Sequence, residues 1–282
     1  MASDSPPAGA SPGPSPPDRL RIVLVGTQHP GNIGSAARAM KTMGLSRLVL
    51  VAPERYPHPD AVALAAGAVD VLEASTRFET LAEAVSDCRL VLGCTARSRR
   101  IALEELSPRA GAARALATTV GGGDVALVFG RERTGLDNDE LQLCHAAIHI
   151  PANPDYSSLN LAAAVQVLAY ELRMASLQEP AHGVAPCVAG RPAEGPTEVR
   201  GEPPATHAEL EGFFSQLADT LDAIDFHKGR TPAAAIRKFR RLFLRAGLDA
   251  REVRLLRGML ADAQRMADIA HGRLPPPRKP AD

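Results

Sequence analysis

The sequence carries no tryptophan, three tyrosines and seven phenylalanines in 282 residues. That is too little aromatic surface for a protein that holds its partner chiefly by stacking. Its four cysteines, Cys88, Cys94, Cys144 and Cys187, form no CxxC pair, which argues against a disulfide scaffold or zinc site and suits a reducing compartment. No apolar run approaches the roughly 20 residues of a membrane span, and the Pro/Ala/Ser-rich start lacks the apolar core of a secretory signal. These absences predict a cytoplasmic chain with no membrane partner and no metal. No G-x-G-x-x-G follows the first apolar run, there is no G-x-x-x-x-G-K-[ST], and no G-x-S-x-G joins a strand-like run to a helix. Dinucleotide, phosphate-loop and hydrolase chemistry thereby lose their main support. The formal net charge is zero, so the chain as a whole is not drawn to a polyanion.

Proline is abundant but uneven, with six in residues 6–17, six in 180–204 and four in 275–280, and such stretches do not sustain regular structure. The expected organisation is a disordered leader over 1–18, a larger domain over 19–178, a Pro/Gly-rich linker over 179–206, a smaller helical domain over 207–274 and a disordered tail over 275–282. In the larger domain, "LRIVLVG" (20–26), "RLVLV" (47–51), "RLVLGC" (89–94), "VALVFG" (125–130) and "AAIHI" (146–150) are short apolar runs without polar alternation. Such runs fit strands covered on both faces of a parallel sheet. Helix-like segments at 32–44, 80–88, 107–117 and 137–144 alternate with them, so the fold class is α/β.

In sheets of this kind ligands lie beyond the carboxyl ends of the strands. The loops there are long and polar or Gly-rich: "GTQHPGNIGSAAR", "CTARSRR", "GRERTGLDNDE" and "PANPDYSSLN". Asn32, at the opening of a helix, could be no more than an N-cap, and Glu132 could fix its loop or pair with Arg131 or Arg133.

Taken together, "NIGSAAR", "LVFGRERTGL" and "IPANPDYSSLNLA" resemble, in order and spacing, the three motifs of the SPOUT (TrmH-like) class of RNA 2'-O-ribose methyltransferases. The closest likeness is to the TrmJ branch, which modifies ribose 32 of the tRNA anticodon loop, and the tail "RKFRRLF…LRGML" looks like that branch's helical extension. The resemblance implies an α/β-knot fold, a parallel sheet ending in a trefoil knot, followed by a small all-α domain, with two chains joined at the knot. It implies S-adenosylmethionine bound by Cys94, Thr95, Ala96, Gly130, Ile150, Ser157, Ser158 and Leu159. It also implies a catalytic set of Asn32, Arg38, Glu132, Ser158 and Asn160, with no metal.

A guanidinium stays protonated, so Arg38 is assigned to stabilising the developing 2'-alkoxide and holding the neighbouring phosphate. Asn32 and Asn160 would position Arg38 and the ribose, and Ser158 would orient the hydroxyl. The region 228–257 carries a net +8. Helical spacing in 231–247 turns Ile236, Phe239, Phe243 and Leu244 inward and leaves Arg237, Lys238, Arg240, Arg241 and Arg245 largely outside. These residues, with Arg97, Arg99 and Arg100, form the expected RNA path. Tyr156 either stacks a flipped-out base or plugs its loop. Two further readings stay open: methylation of ribosomal RNA, and a catalytically silent RNA-binding member of the fold.

Overall fold

The structure, a computed structural model, describes residues 15–96, 103–178, 202–228 and 231–275. Seven strands form one parallel sheet: β1 Leu20–Val25, β2 Arg47–Val51, β3 Thr76–Phe78, β4 Leu90–Cys94, β5 Glu104–Leu106, β6 Val125–Phe129 and β7 Ala146–Ile148. Their spatial order is β3-β2-β1-β6-β4-β7-β5. Helices α1 Pro30–Thr42, α2 Pro59–Ala65, α3 Val69–Glu73, α4 Leu81–Ala84, α5 Pro108–Val120, α6 Asn138–Gln142 and α7 Leu161–Leu177 connect and cover the strands. Three more follow: α8 His207–Ala223, α9 Pro232–Ala246 and α10 Ala250–Ala270.

Strands β1 and β6 are buried at every position, as expected of apolar runs covered on both faces. Side chains alternate between two cores. Leu20, Ile22 and Leu24 join Met40, Leu127, Val165 and Leu168 on one face. Val23 and Val25 join Val91, Val128, Leu136 and Leu141 on the other. The stripe on α7 is the one its spacing predicts, with Leu161, Val165, Leu168 and Leu172 buried.

The five apolar runs are all strands, but the sheet has two more at its edges. Both β3 and β5 are three residues long and largely exposed, so neither carries the apolar run that marks a central strand. Helices α2 and α3 also went unanticipated. Packing of α2 depends on Gly34 of α1, where a Cβ would lie 2.0 Å from the Ala61 carbonyl oxygen. Order begins earlier than the Pro-rich leader suggested. Pro16–Arg19 forms a 3-10 turn, anchored where the Asp18 carbonyl accepts from Arg47 and Arg19 pairs with Asp124.

The last three helices follow their sequence signals. Pro232 starts α9, Gly247 ends it in the left-handed region at φ 66°, and Asp249 caps α10. Their core is built from Leu210, Phe213, Phe214, Leu217, Val253 and Leu260, with Ile236, Phe239, Phe243 and Leu244 packed against it. The N-terminus of α8 docks on the sheet region: the His207 and Ala208 amides donate to the Cys88 and Ser86 carbonyls at 2.8 and 2.9 Å.

Candidate active site

Three loops meet beyond the carboxyl ends of the central strands and enclose an open cleft. Cys94, Thr95 and Ala96 follow β4, Phe129 to Gly135 follow β6, and Ile150 with Ser157, Ser158 and Leu159 follow β7; all line it, joined by Leu161 and Ala164 of α7. Every residue expected to bind the methyl donor therefore faces one cavity. Its walls are mixed: Ala96, Ile150, Leu159, Leu161 and Ala164 are aliphatic, while Arg131, Glu132, Arg133, Ser157 and Ser158 are polar or charged. Burial pushes the Cys94 thiol up to about 12, so this sulfur is a neutral wall, not a nucleophile.

Gly130 is required by close backbone approach. A Cβ there would lie 2.2 Å from Gly135 C and Leu136 N, where the chain folds back through an Arg131–Gly135 bridge. Arg131 crosses Gly26, meeting a virtual Cβ at 2.7 Å, and pairs with Glu140 at 3.0 Å.

The polar residues of the three motifs form one chain of hydrogen bonds. Asn160 is the N-cap of α7, its Oδ1 accepting from the Ala162 amide at 2.9 Å. Its Nδ2 donates to Asn32 Oδ1 at 2.9 Å, and Asn32 Nδ2 donates to Glu132 Oε1 at 2.9 Å. Glu132 also accepts from the amides of Gln28 and His29 at 3.0 and 3.1 Å. Partial burial would raise its carboxyl, but the bonds from Asn32 and the loop amides outweigh that and hold it below the usual carboxylate range.

Several expectations need correction here. Asn32 is not an N-cap: His29 holds that position on α1, without a side-chain cap bond. Of the two readings of Glu132, the loop-fixing one holds, and it pairs with neither Arg131 nor Arg133. Asn32 and Asn160 do not touch Arg38; they bond to each other and brace the loops. Arg38 is exposed on α1, and its guanidinium has no ion pair or hydrogen bond among the described residues. Ser158 is exposed on the cavity wall.

On α9, Arg237, Lys238, Arg241 and Arg245 are exposed. Arg240 is not free: it forms a two-pronged pair with Glu211 and lies 4.5 Å from the Phe214 ring centre, because its position faces α8. Arg97, Arg99 and Arg100 lie outside the described residues. Arg133, expected only as a candidate partner of Glu132, is exposed on the cavity wall. Its signal was the basic run "RER" inside a site loop. Among the described residues no group of three or more His, Cys, Asp and Glu is placed to hold a metal ion, and no helix is long and apolar enough to cross a membrane.

The larger region, a parallel sheet whose carboxyl-end loops brace one another around one cleft, belongs to the SpoU rRNA methylase family, whose family model matches residues 19–170. A second family model, described as the C-terminal domain of the tRNA methyltransferase TrmJ, matches residues 208–272. The chain belongs to the TrmJ family. It is 48% identical over 254 residues to the tRNA (cytidine/uridine/adenosine-2'-O-)-methyltransferase TrmJ of Pseudomonas aeruginosa, covering 89% of this chain and 95% of that one. It is 47% identical to the tRNA (cytidine/uridine-2'-O-)-methyltransferase TrmJ of Pectobacterium atrosepticum, covering 89% and 99%. Among solved structures, TrmJ from Z. mobilis superposes with a TM-score of 0.70 at 35% identity, covering 86% of this chain and 98% of that one.

Proposed function

We propose that this chain is a cytoplasmic enzyme that methylates a ribose 2'-hydroxyl of tRNA, at nucleotide 32 of the anticodon loop, with S-adenosylmethionine as methyl donor. The observation that carries the reading is the Asn160–Asn32–Glu132 chain. It ties the residues of all three motifs to the rim of one cleft, in a protein 48% identical to a tRNA 2'-O-methyltransferase along nearly its whole length. The cleft suits the donor: Ala96, Ile150, Leu159 and Leu161 offer aliphatic contact to an adenosine, polar side chains beside them face its polar groups, and no phosphate cradle is needed for a molecule without phosphate. When bound, the donor supplies an electrophilic methyl on a sulfonium.

The protein's part is to position groups and stabilise charge. Glu132, ionised and holding Asn32, fixes the start of α1. Asn160, bonded to Asn32 and capping α7, fixes the last site loop. Arg38, exposed and uncommitted on α1, stabilises negative charge as the hydroxyl loses its proton to a phosphate or water. Ser158 orients the hydroxyl. Residues 19–178 form the catalytic unit. Residues 207–274 form a unit that holds tRNA through Arg237, Lys238, Arg241 and Arg245 and supports the dimer.

Two chains pair at a trefoil knot in this reading. Exposed Tyr170, Met174 and Leu177 on α7, spaced for one helix face, support the pairing. Mass spectrometry of tRNA from a strain lacking this protein tests the assignment. Loss of 2'-O-methylation at nucleotide 32 is expected; unchanged tRNA with loss of a ribosomal RNA methyl group would move the substrate to the ribosome.

A further inference from the structure

The ring of Tyr156 stands in solvent at the rim of the cleft. It is 82% exposed, more than any other large apolar or aromatic side chain among the described residues. It therefore does not plug its loop. Its backbone is nevertheless held: the Asp155 amide donates to Asn153 Oδ1 at 3.1 Å and the Tyr156 amide to the Asn153 carbonyl at 2.9 Å, closing a turn. The next two residues, Ser157 and Ser158, line the cleft, and Asn160 is bonded to Asn32. Neither the ring nor the hydroxyl has a hydrogen-bond or ring partner among the described residues. An aromatic side chain with no packing role is thus tethered one residue from the cavity wall.

A ribose hydroxyl inside a polynucleotide reaches such a recess only if its nucleotide leaves the stack of its neighbours. The freed base then needs a flat apolar face to replace what it lost. We propose that Tyr156 is the platform on which the base of the target nucleotide stacks. This inference rests on the RNA methyltransferase reading and deepens it. Stacking reads the face of a base rather than its hydrogen-bonding edge, so the platform selects an unpaired, displaced nucleotide while tolerating more than one base.

Three variants test this: Tyr156→Ala, Tyr156→Phe and Tyr156→Trp. Tyr156→Ala should raise the KM for tRNA by about 5- to 100-fold while calorimetric affinity for S-adenosylmethionine stays at the wild-type value. Tyr156→Phe, which keeps the ring, should restore KM. Tyr156→Trp adds the sole tryptophan to a chain that has none, and its emission should be quenched by tRNA but not by tRNA abasic at the target nucleotide. An unchanged KM in Tyr156→Ala would overturn the proposal. So would a loss of donor affinity, which would place the ring over the donor, or a tryptophan whose emission ignores bound tRNA. Wild-type protein unable to methylate any RNA would defeat the parent reading; methylation equally good without the ring defeats only the platform.

Discussion

Arg38 and Glu132, two charged residues of the proposed catalytic set, stand in opposite surroundings. Arg38 is exposed, its guanidinium without a partner among the described residues, whereas Glu132 spends its carboxylate on Asn32 and two backbone amides. Arg38→Ala should abolish methyl transfer yet leave calorimetric binding of S-adenosylmethionine intact; near-normal turnover would remove Arg38 from the mechanism. Gly130→Ala should do the reverse. Its Cβ would collide with backbone at Gly135 and Leu136, and a displacement that costs about 1–3 kcal/mol should weaken donor binding by about tenfold or more, measured by the same titration. That the loops after the apolar runs β4, β6 and β7 would converge was legible in the sequence. Their connections were not. A side chain such as Asn32 can cap, position or bridge, and only the distance to Glu132 decides among them.

Among the elements, five strands and all three C-terminal helices could be read directly from apolar runs, capping residues and Gly247. Strands β3 and β5 could not, since two exposed residues and one half-buried one, paired along one edge, leave no apolar pattern. The charges of α9 were legible as a stripe, but the partner of one was not. Arg240→Ala should therefore lower thermal stability, because it removes both the two-pronged pair to Glu211 and the guanidinium packed on the Phe214 ring. Arg241→Ala should keep stability and instead weaken tRNA binding and flatten its salt dependence.

Strand β7 adds a pH-dependent tie. His145 Nδ1 accepts from the Val91 amide at 3.1 Å while the His145 amide donates to the Val91 carbonyl at 2.8 Å. Burial first, then the nearby His207 and Arg114 charges, push this imidazole down to about 3. The folded state thus holds His145 neutral. Its contribution is complete above the ordinary histidine range near pH 6.5 and is lost as pH falls toward 3, by at most about 1.4 kcal/mol for each pH unit. His145→Asn keeps an acceptor oxygen but takes no proton, so its melting temperature should fall less over that window. An equal fall would assign the acid loss to other groups.

At the scale of the whole molecule, one end of the sheet serves stability and the other chemistry. Buried Arg21 pairs with Asp87 and Asp124 near the amino ends of the strands, while the cleft lies beyond the carboxyl ends. The α/β class, the helical extension and the edge of the sheet at which the loops enclose a cleft were all legible. The docking of α8 on the Ser86 and Cys88 carbonyls was not, because it depends on backbone groups that carry no residue signature. The central claim is that the braced cleft carries out methyl transfer to a tRNA ribose. It is tested most directly by incubating the purified chain with labelled S-adenosylmethionine and unmodified tRNA, then mapping the label by mass spectrometry of digested fragments. The account predicts one methyl group on the ribose oxygen of nucleotide 32; label on a base, or none on tRNA at all, would contradict it.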